Sequence, residues 1–362
     1  MINNHQMAHV GVIGAGWWST YTHIPGLLNN PNAELVAIAD SSPEALARCL
    51  AKYPGPSAYT NYAEMLQNEY LQGVVIAVPH AHHYDIACAC LKADLHVMLE
   101  KPMVLTAIDA HNLIDLAQER KRELIIGYPY HFAPAPIRAR ELITSGELGP
   151  VQCISCLFAS PVIEFYRGNE AAYATQFNYP VTGPGTIYAD PVLSGGGQGH
   201  LQVTHSAALA MFVSELRVER VSAHMNNFGL PVDLVNAINV QFEGGAVGTF
   251  TSTGNISRGD RGQLELRVYC EKGYLLLDAI DGTLRYRNHT DQAEHTFRTE
   301  DPDLSYPRFA TAGNLVDVCR GEATNGSPAQ IGRSSVEILD AAYRSAATKG
   351  KSVALAELYG VN

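Results

Sequence analysis

Positive charge is scarce in this chain of 362 residues: lysine and arginine number 25 against 36 aspartates and glutamates, leaving a formal net charge of −11. No basic stripe gathers anywhere along it, which argues against a nucleic-acid partner and leaves the acidity to explain solubility. No run approaches the roughly 18 apolar residues of a membrane span, so no membrane partner is expected. The opening stretch Met1 to Met7 has no basic flank, apolar core or cleavage pattern, so a secretory leader is not expected and a cytoplasmic location is. Cysteines number seven, an odd count scattered through the chain, which predicts free thiols rather than a disulfide framework. Cys153 and Cys156 have CxxC spacing but fall in an apparent strand, where residues three apart face opposite sides, so no metal or redox site is expected from them. No internal repeat is visible.

What is present is enough apolar material for a large core: 46% of residues are apolar and 17% charged, and the length fits two domains. Residues 1–127 read as an alternation of short apolar strands and helices. The strands are Val10 to Ile13, Glu34 to Ala39, Gly73 to Val78, His96 to Leu99 and Glu123 to Gly127. Such an alternation predicts a doubly wound parallel sheet covered on both faces. In residues 128–362 the pattern changes to period-2 runs at 151–158, 217–225, 234–242, 246–253, 263–270, 273–278 and 282–287, separated by glycine turns. These predict an α/β domain with a large, mostly antiparallel sheet, with helices near 135–145, 201–213, 308–320 and 333–348.

The first strand ends in Gly14-Ala15-Gly16, followed by a helical pattern, and Asp40 closes the next strand. Gly14 permits the tight turn, and Gly16 lets backbone amides approach a pyrophosphate at a helix N-terminus. Asp40 can accept from both hydroxyls of an adenosine ribose and would repel a 2′-phosphate, so NAD is favoured over NADP. Ser41 supplies no compensating charge, although its hydroxyl can tolerate a phosphate and NADP stays open. The only two tryptophans, Trp17 and Trp18, follow the turn directly and read as walls over the dinucleotide. Pro79, His80 and His83, just past the third strand, face the same crevice in this reading.

Glu100-Lys101-Pro102 closes the strand His96 to Leu99. A lysine at the end of a buried strand is costly to desolvate and needs a partner or a task. Ligands bind at the carboxyl ends of such strands, so Lys101 is a candidate catalytic cation with Glu100 beside it. Residues 159–199 form a long Gly-, Pro- and Tyr-rich segment that runs into Gly195-Gly196-Gly197 and then His205 in the first turns of an apolar helix. A helix N-terminus disfavours an added positive charge, so His205 should be a neutral imidazole able to accept a proton. Tyr130, His131, Tyr188, Asp190 and Gln202 are candidates for other substrate hydroxyls.

These stretches together resemble the Gfo/Idh/MocA oxidoreductase family. The likeness lies in Val10 to Gly16, Val78 to His83, His96 to Pro102, Ser145 to Gly149 and Ala341 to Ser345, and so covers nearly the whole chain. It implies an N-terminal Rossmann domain and a C-terminal open-sheet domain that packs in homodimers or homotetramers. It also implies hydride transfer between a nicotinamide cofactor and a secondary hydroxyl of a sugar or cyclitol, with the lysine catalytic. The family pattern places an aspartate four residues before the histidine, where this chain has Leu201, and a glycine where it has Val203. His80 and Asp94 depart from a usual asparagine and glycine, and Tyr128 to His131 from a phenylalanine–asparagine–arginine type segment. Two other readings stay open at this point: a glycosidase or lyase that recycles bound NAD, and a non-catalytic nucleotide-binding sensor.

Overall fold

Six short, mostly apolar strands build the first sheet of the computed structural model, which describes residues 7–176, 185–290 and 292–360. They are β1 (Ala8–Ile13), β2 (Ala33–Ala39), β3 (Ser57–Tyr59), β4 (Gly73–Ile76), β5 (His96–Leu99) and β6 (Leu124–Ile126). All are parallel, in the order β3-β2-β1-β4-β5-β6. The order reverses between β1 and β4, and the crevice outside the carboxyl ends at that reversal is where a nucleotide binds in such folds. Val74 to Ile76 and Val97 to Leu99 have no exposed surface, as expected of strands covered on both faces. The sequence pattern revealed five of the six; β3 is three partly exposed residues at an edge and has no apolar run to betray it.

Nine strands form the second sheet: β7 (Val151–Ala159), β8 (Val218–Asn226), β9 (Val235–Phe242), β10 (Val247–Thr253), β11 (Gln263–Cys270), β12 (Gly273–Asp278), β13 (Thr283–Asn288), β14 (Glu294–Arg298) and β15 (Val353–Ala354). Their order is β14-β13-β12-β11-β7-β10-β9-β8-β15, antiparallel except where β7 and β10 run parallel. All seven alternating runs are strands. The two that the pattern missed are an exposed edge strand and a two-residue strand. Helices Pro134–Thr144, Thr204–Ser214 and Ala329–Ala347 pack on one face. Thr204–Ser214 is buried at every position, as suits a sequence that is apolar from Ala207 to Val213 and carries no Asp, Glu, Lys or Arg. The other face is open and leaves Val247 and Tyr269 exposed.

Helix Ala310–Cys319 falls on the second-domain side of the boundary at residue 127 yet packs on the first sheet. Ala312, Leu315, Val316 and Val318 share a core with Val10, Val12, Val75, Met98 and Ile125. The first sheet therefore acquires one of its covers from a segment far along the chain.

Smaller expectations also meet the structure. Cys156 is buried and Cys153 half-buried on the other side of β7, and all seven cysteines are free thiols. Asp94 sits at φ 59°, the left-handed region that favours glycine and that aspartate tolerates better than most residues. Among the described residues, no helix is long and apolar enough to cross a membrane.

Candidate active site

The carboxyl end of β5 delivers Glu100 and Lys101 to the crevice. Glu100 is buried, and its carboxylate accepts from Trp18 Nε1 at 2.9 Å, His23 Nε2 at 2.9 Å and the Lys101 amide at 3.1 Å. Burial alone would raise its pKa; the hydrogen bond and charge of His23, with Lys101, overcome that and hold it below the usual carboxylate range. Gly127, at the end of β6, is the space Glu100 occupies, because a Cβ there would lie 2.9 Å from Oε1. Glu100 is thus engaged by three of the chain's own donors. His23, which the sequence pattern missed, reaches it because the helix after the glycine turn widens over Ser19–His23, with Ile24 N–H bonding to Ser19 five residues back. Such wide turns cluster at functional sites.

Lys101 Nζ donates to the main-chain carbonyl of Leu201 at 3.0 Å. Burial lowers its pKa from 10.5 to about 8, with Glu100 opposing the shift. Helix 204–214 also opens with a wide turn, Gly199–Val203, in which Thr204 N–H reaches Gly199. The Leu201 side chain enters an apolar cluster with Val162, Phe165 and Tyr166, while its carbonyl turns to Lys101. At this position the chain offers Lys101 a neutral main-chain oxygen and no carboxylate.

His205 is buried among the rings of Tyr128, Tyr130 and Phe158, with centroids 5.9 to 6.2 Å away. Burial first, then the charges of Lys101 and His131, hold its pKa well below 6.5. It is a neutral imidazole, and its buried Nδ1 has no hydrogen-bond partner among the described residues.

The glycine loop before this helix is anchored by Asp233, another residue absent from the sequence reading. Its carboxylate accepts from Gly197 N at 2.7 Å, Gly199 N at 2.9 Å and Tyr343 Oη at 2.7 Å. The close approach demands glycine, since a Cβ on Gly196 would lie 2.2 Å from the Tyr343 hydroxyl and one on Gly197 2.1 Å from the Asp233 carbonyl. His200 stacks on Tyr343 at 4.6 Å. Gln198 is fully buried and engaged with Tyr166 and Ser252, so it cannot substitute for the missing carboxylate.

At the nucleotide end, Gly14 has φ 103° and its Cβ would collide with the Ala77 carbonyl at 2.2 Å, so only glycine makes this turn. A Cβ on Gly16 would meet nothing within 4 Å, so the loop is open where a pyrophosphate must approach. Asp40 Oδ2 accepts from Ala15 N at 2.7 Å and Oδ1 from Ser42 N at 2.8 Å. This fixes the carboxylate at the end of β2 while leaving each oxygen a further lone pair. Ser41 is exposed beside it. The turn, the open approach and the placed carboxylate fit an adenine dinucleotide.

The remaining candidates divide. Pro79 precedes a short turn whose His80 bonds through Nδ1 to the Ser194 carbonyl at 2.8 Å and faces Tyr188. Trp17 packs on Phe165, which lies 5.2 Å from Tyr188, so the segment around 188–194 lies against the crevice wall. Tyr130 stands edge-on to His205 at 6.2 Å. Gln202 is half-buried in the wide turn. Of residues 159–199, positions 177–184 lie outside the described residues.

Three candidates are engaged by the chain itself. His83 is wholly buried, with its ring nitrogens on the carbonyls of Pro102 and Val78. His131 stacks on Phe212 and bonds to Ser327, with its pKa lowered by burial to about 3. Asp190 caps the short helix Pro191–Ser194 by accepting from Val192 N at 2.8 Å.

Two family models match the chain: the oxidoreductase family with NAD-binding Rossmann fold over residues 8–128, and the GFO/IDH/MocA C-terminal domain over 137–276. This chain belongs to the Gfo/Idh/MocA oxidoreductase family. Among curated relatives, an oxidoreductase of Synechocystis is 27% identical over 86% of this chain and 84% of its own length. Inositol 2-dehydrogenase of Salmonella typhimurium is 27% identical over 46% of this chain and half of its own length. Levoglucosan dehydrogenase, solved in complex with NADH, superposes over 97% of this chain and 99% of its own with a TM-score of 0.80 at 17% identity. The last likeness is one of fold. The expectation of a nicotinamide-dependent enzyme of CH–OH groups agrees with the family and with these names.

Proposed function

We propose that this oxidoreductase reversibly oxidises a secondary hydroxyl of a sugar, cyclitol or sugar derivative with NAD. The observation that supports it is the pairing of a buried cation, Lys101, with a neutral His205 at the carboxyl edge above the glycine turn. Bound nicotinamide supplies the hydride acceptor or donor. Lys101 hydrogen-bonds the reacting oxygen and stabilises its alkoxide character in the low-dielectric site. His205 takes the hydroxyl proton in oxidation and returns it in reduction. Leu201, through its carbonyl, orients the ammonium without adding charge, so Lys101 bears the electrostatic task alone.

NAD is preferred over NADP in this reading because Asp40 repels a 2′-phosphate and Ser41 offers no counter-charge. Residues 1–127 with helix Ala310–Cys319 bind the cofactor, and the second sheet supports the substrate. The open face of that sheet is the surface for a homodimer or homotetramer.

The test is a panel of sugars, cyclitols and glycosides with NAD and with NADP, following reduced cofactor. Net reduction with any polyol supports the proposal. Aglycone release without net reduction points to a redox-assisted glycosidase or lyase, and cofactor binding without any turnover to a sensor.

A further inference from the structure

Helix Ala310–Cys319 runs opposite to the strands it covers. Its last residue, Cys319, abuts Gly73 at the start of β4, so its first turn lies at the carboxyl edge of the sheet. The approach to it, Tyr306 to Phe309, crosses that edge. The Tyr306 ring lies 5.0 Å from Tyr130, which lies 6.2 Å from His205. Arg308 sits over Tyr21 at 4.8 Å and Phe309 at 4.7 Å. Tyr21 is 6.2 Å from Trp18, whose indole N–H donates to Glu100 beside Lys101. The segment thus reaches His205 through Tyr306 and Tyr130, and Glu100 beside Lys101 through Arg308, Tyr21 and Trp18, which sets Arg308 toward the flank of that site.

The setting of the guanidinium suits an anion. Two rings fix its plane, and with Nε enclosed the terminal nitrogens are the face for a ligand. Of its five N–H donors, one bonds to Tyr21 Oη at 2.9 Å. Its Nε is buried without a partner, and no carboxylate pairs with it among the described residues. A hydroxyl would satisfy one donor; a carboxylate satisfies two and matches the charge. Asp40, at the end of β2, takes the adenosine end of the cofactor in the reading above, and the test below separates a substrate carboxylate from the cofactor's own phosphates.

We infer that Arg308 is a specificity-determining residue that binds a carboxylate of the substrate, making that substrate a sugar or cyclitol acid rather than a neutral polyol. The inference rests on the hydride-transfer site proposed above.

Its test is calorimetric titration of the NAD-loaded protein with glucuronate, galacturonate, their methyl esters and the parent sugars. The wild type should bind at least one acid 10-fold or more tighter than its ester. Arg308→Gln should reduce that preference to under 2-fold, and Arg308→Lys should retain part of it. The affinity for NADH should move less than 2-fold in both variants. No acid preference in the wild type overturns the inference without any variant, whatever the folding of the mutants. So does a preference that survives Arg308→Gln, or a large loss of NADH affinity, which would assign Arg308 to the cofactor pyrophosphate. Turnover of neutral sugars with no acid preference would sink Arg308 and keep hydride transfer. Acid binding without turnover would do the reverse.

Discussion

Glu100 and Asp233 are both buried carboxylates that accept from three donors, and they hold opposite sides of one site. The donors of Glu100 include the side chains of Trp18 and His23, which tie the first helix to the strand end beside Lys101. Those of Asp233 are two glycine amides and a tyrosine hydroxyl, which fix only the path of the backbone. The first carboxylate sets charge and position next to the reacting centre. The second sets the geometry from which Leu201 and His205 project. Similar hydrogen-bond counts therefore serve different ends, and substitutions should separate them.

The largest effect belongs to the cation that Glu100 accompanies. Lys101→Ala should lower kcat by a thousandfold or more while NADH affinity, read by quenching of Trp17 and Trp18, stays within a few-fold; near-normal turnover would refute the mechanism. Lys101→Met should in addition raise the midpoint of thermal unfolding at pH 7. The folded protein keeps an ammonium whose pKa is about 8 against 10.5 when exposed, so its protonation opposes folding. That penalty is full below about pH 8 and relieved as pH rises toward 10.5. At about 1.4 kcal/mol per unit it is on the order of 3 kcal/mol.

Asp233→Ala should come next. It strands two amides and a hydroxyl in a buried site, a cost of about 3–5 kcal/mol by analogy with broken buried charge pairs. Urea denaturation would measure it. Tyr343→Phe, which removes one of the three bonds, should cost about 1 kcal/mol. If Asp233→Ala proved as stable as wild type, its anchoring role would be lost.

Glu100→Gln keeps the shape and removes the charge. It should depress kcat/KM more than stability, whereas Asp233→Asn should do the opposite. Equal ratios in the two variants would erase the distinction between them.

The smallest effect is the pH profile. With Lys101 required as a cation, kcat/KM for oxidation should fall as pH rises through about 8. His205, held well below 6.5, should give no inflection between pH 6 and 7. An acid limb there that disappears in His205→Ala would show that the imidazole titrates at its ordinary value.

The difference between the two carboxylates is also a difference in legibility. Glu100 stands in a contiguous motif at the end of an apolar strand, so local pattern exposes it. Asp233 lies in an unremarkable turn before β9 and meets Gly197 and Gly199 only through the tertiary fold. His23 was hidden for a related reason: its reach to Glu100 depends on a widened helical turn, and no periodicity announces one. Strand alternation and the glycine turn predicted both sheets well, because burial on one or two faces imposes period 2 or unbroken apolar runs. A histidine near a strand end, such as His83 or His131, looks the same in sequence whether it faces ligand or backbone. Leu201 was legible as a departure, but the carbonyl that meets Lys101 belongs to every residue and leaves no signature.

The cover that helix Ala310–Cys319 gives the first sheet bears on how the chain is born. The last strand of that sheet, β6, ends at Ile126, and the covering helix ends roughly 190 residues later. At about 5–20 residues per second of synthesis, the sheet waits on the order of 10–40 s with Val10, Val75, Met98 and Ile125 uncovered. A fragment ending at residue 127, which lacks that cover, should therefore aggregate rather than fold, as light scattering of the expressed fragment would show.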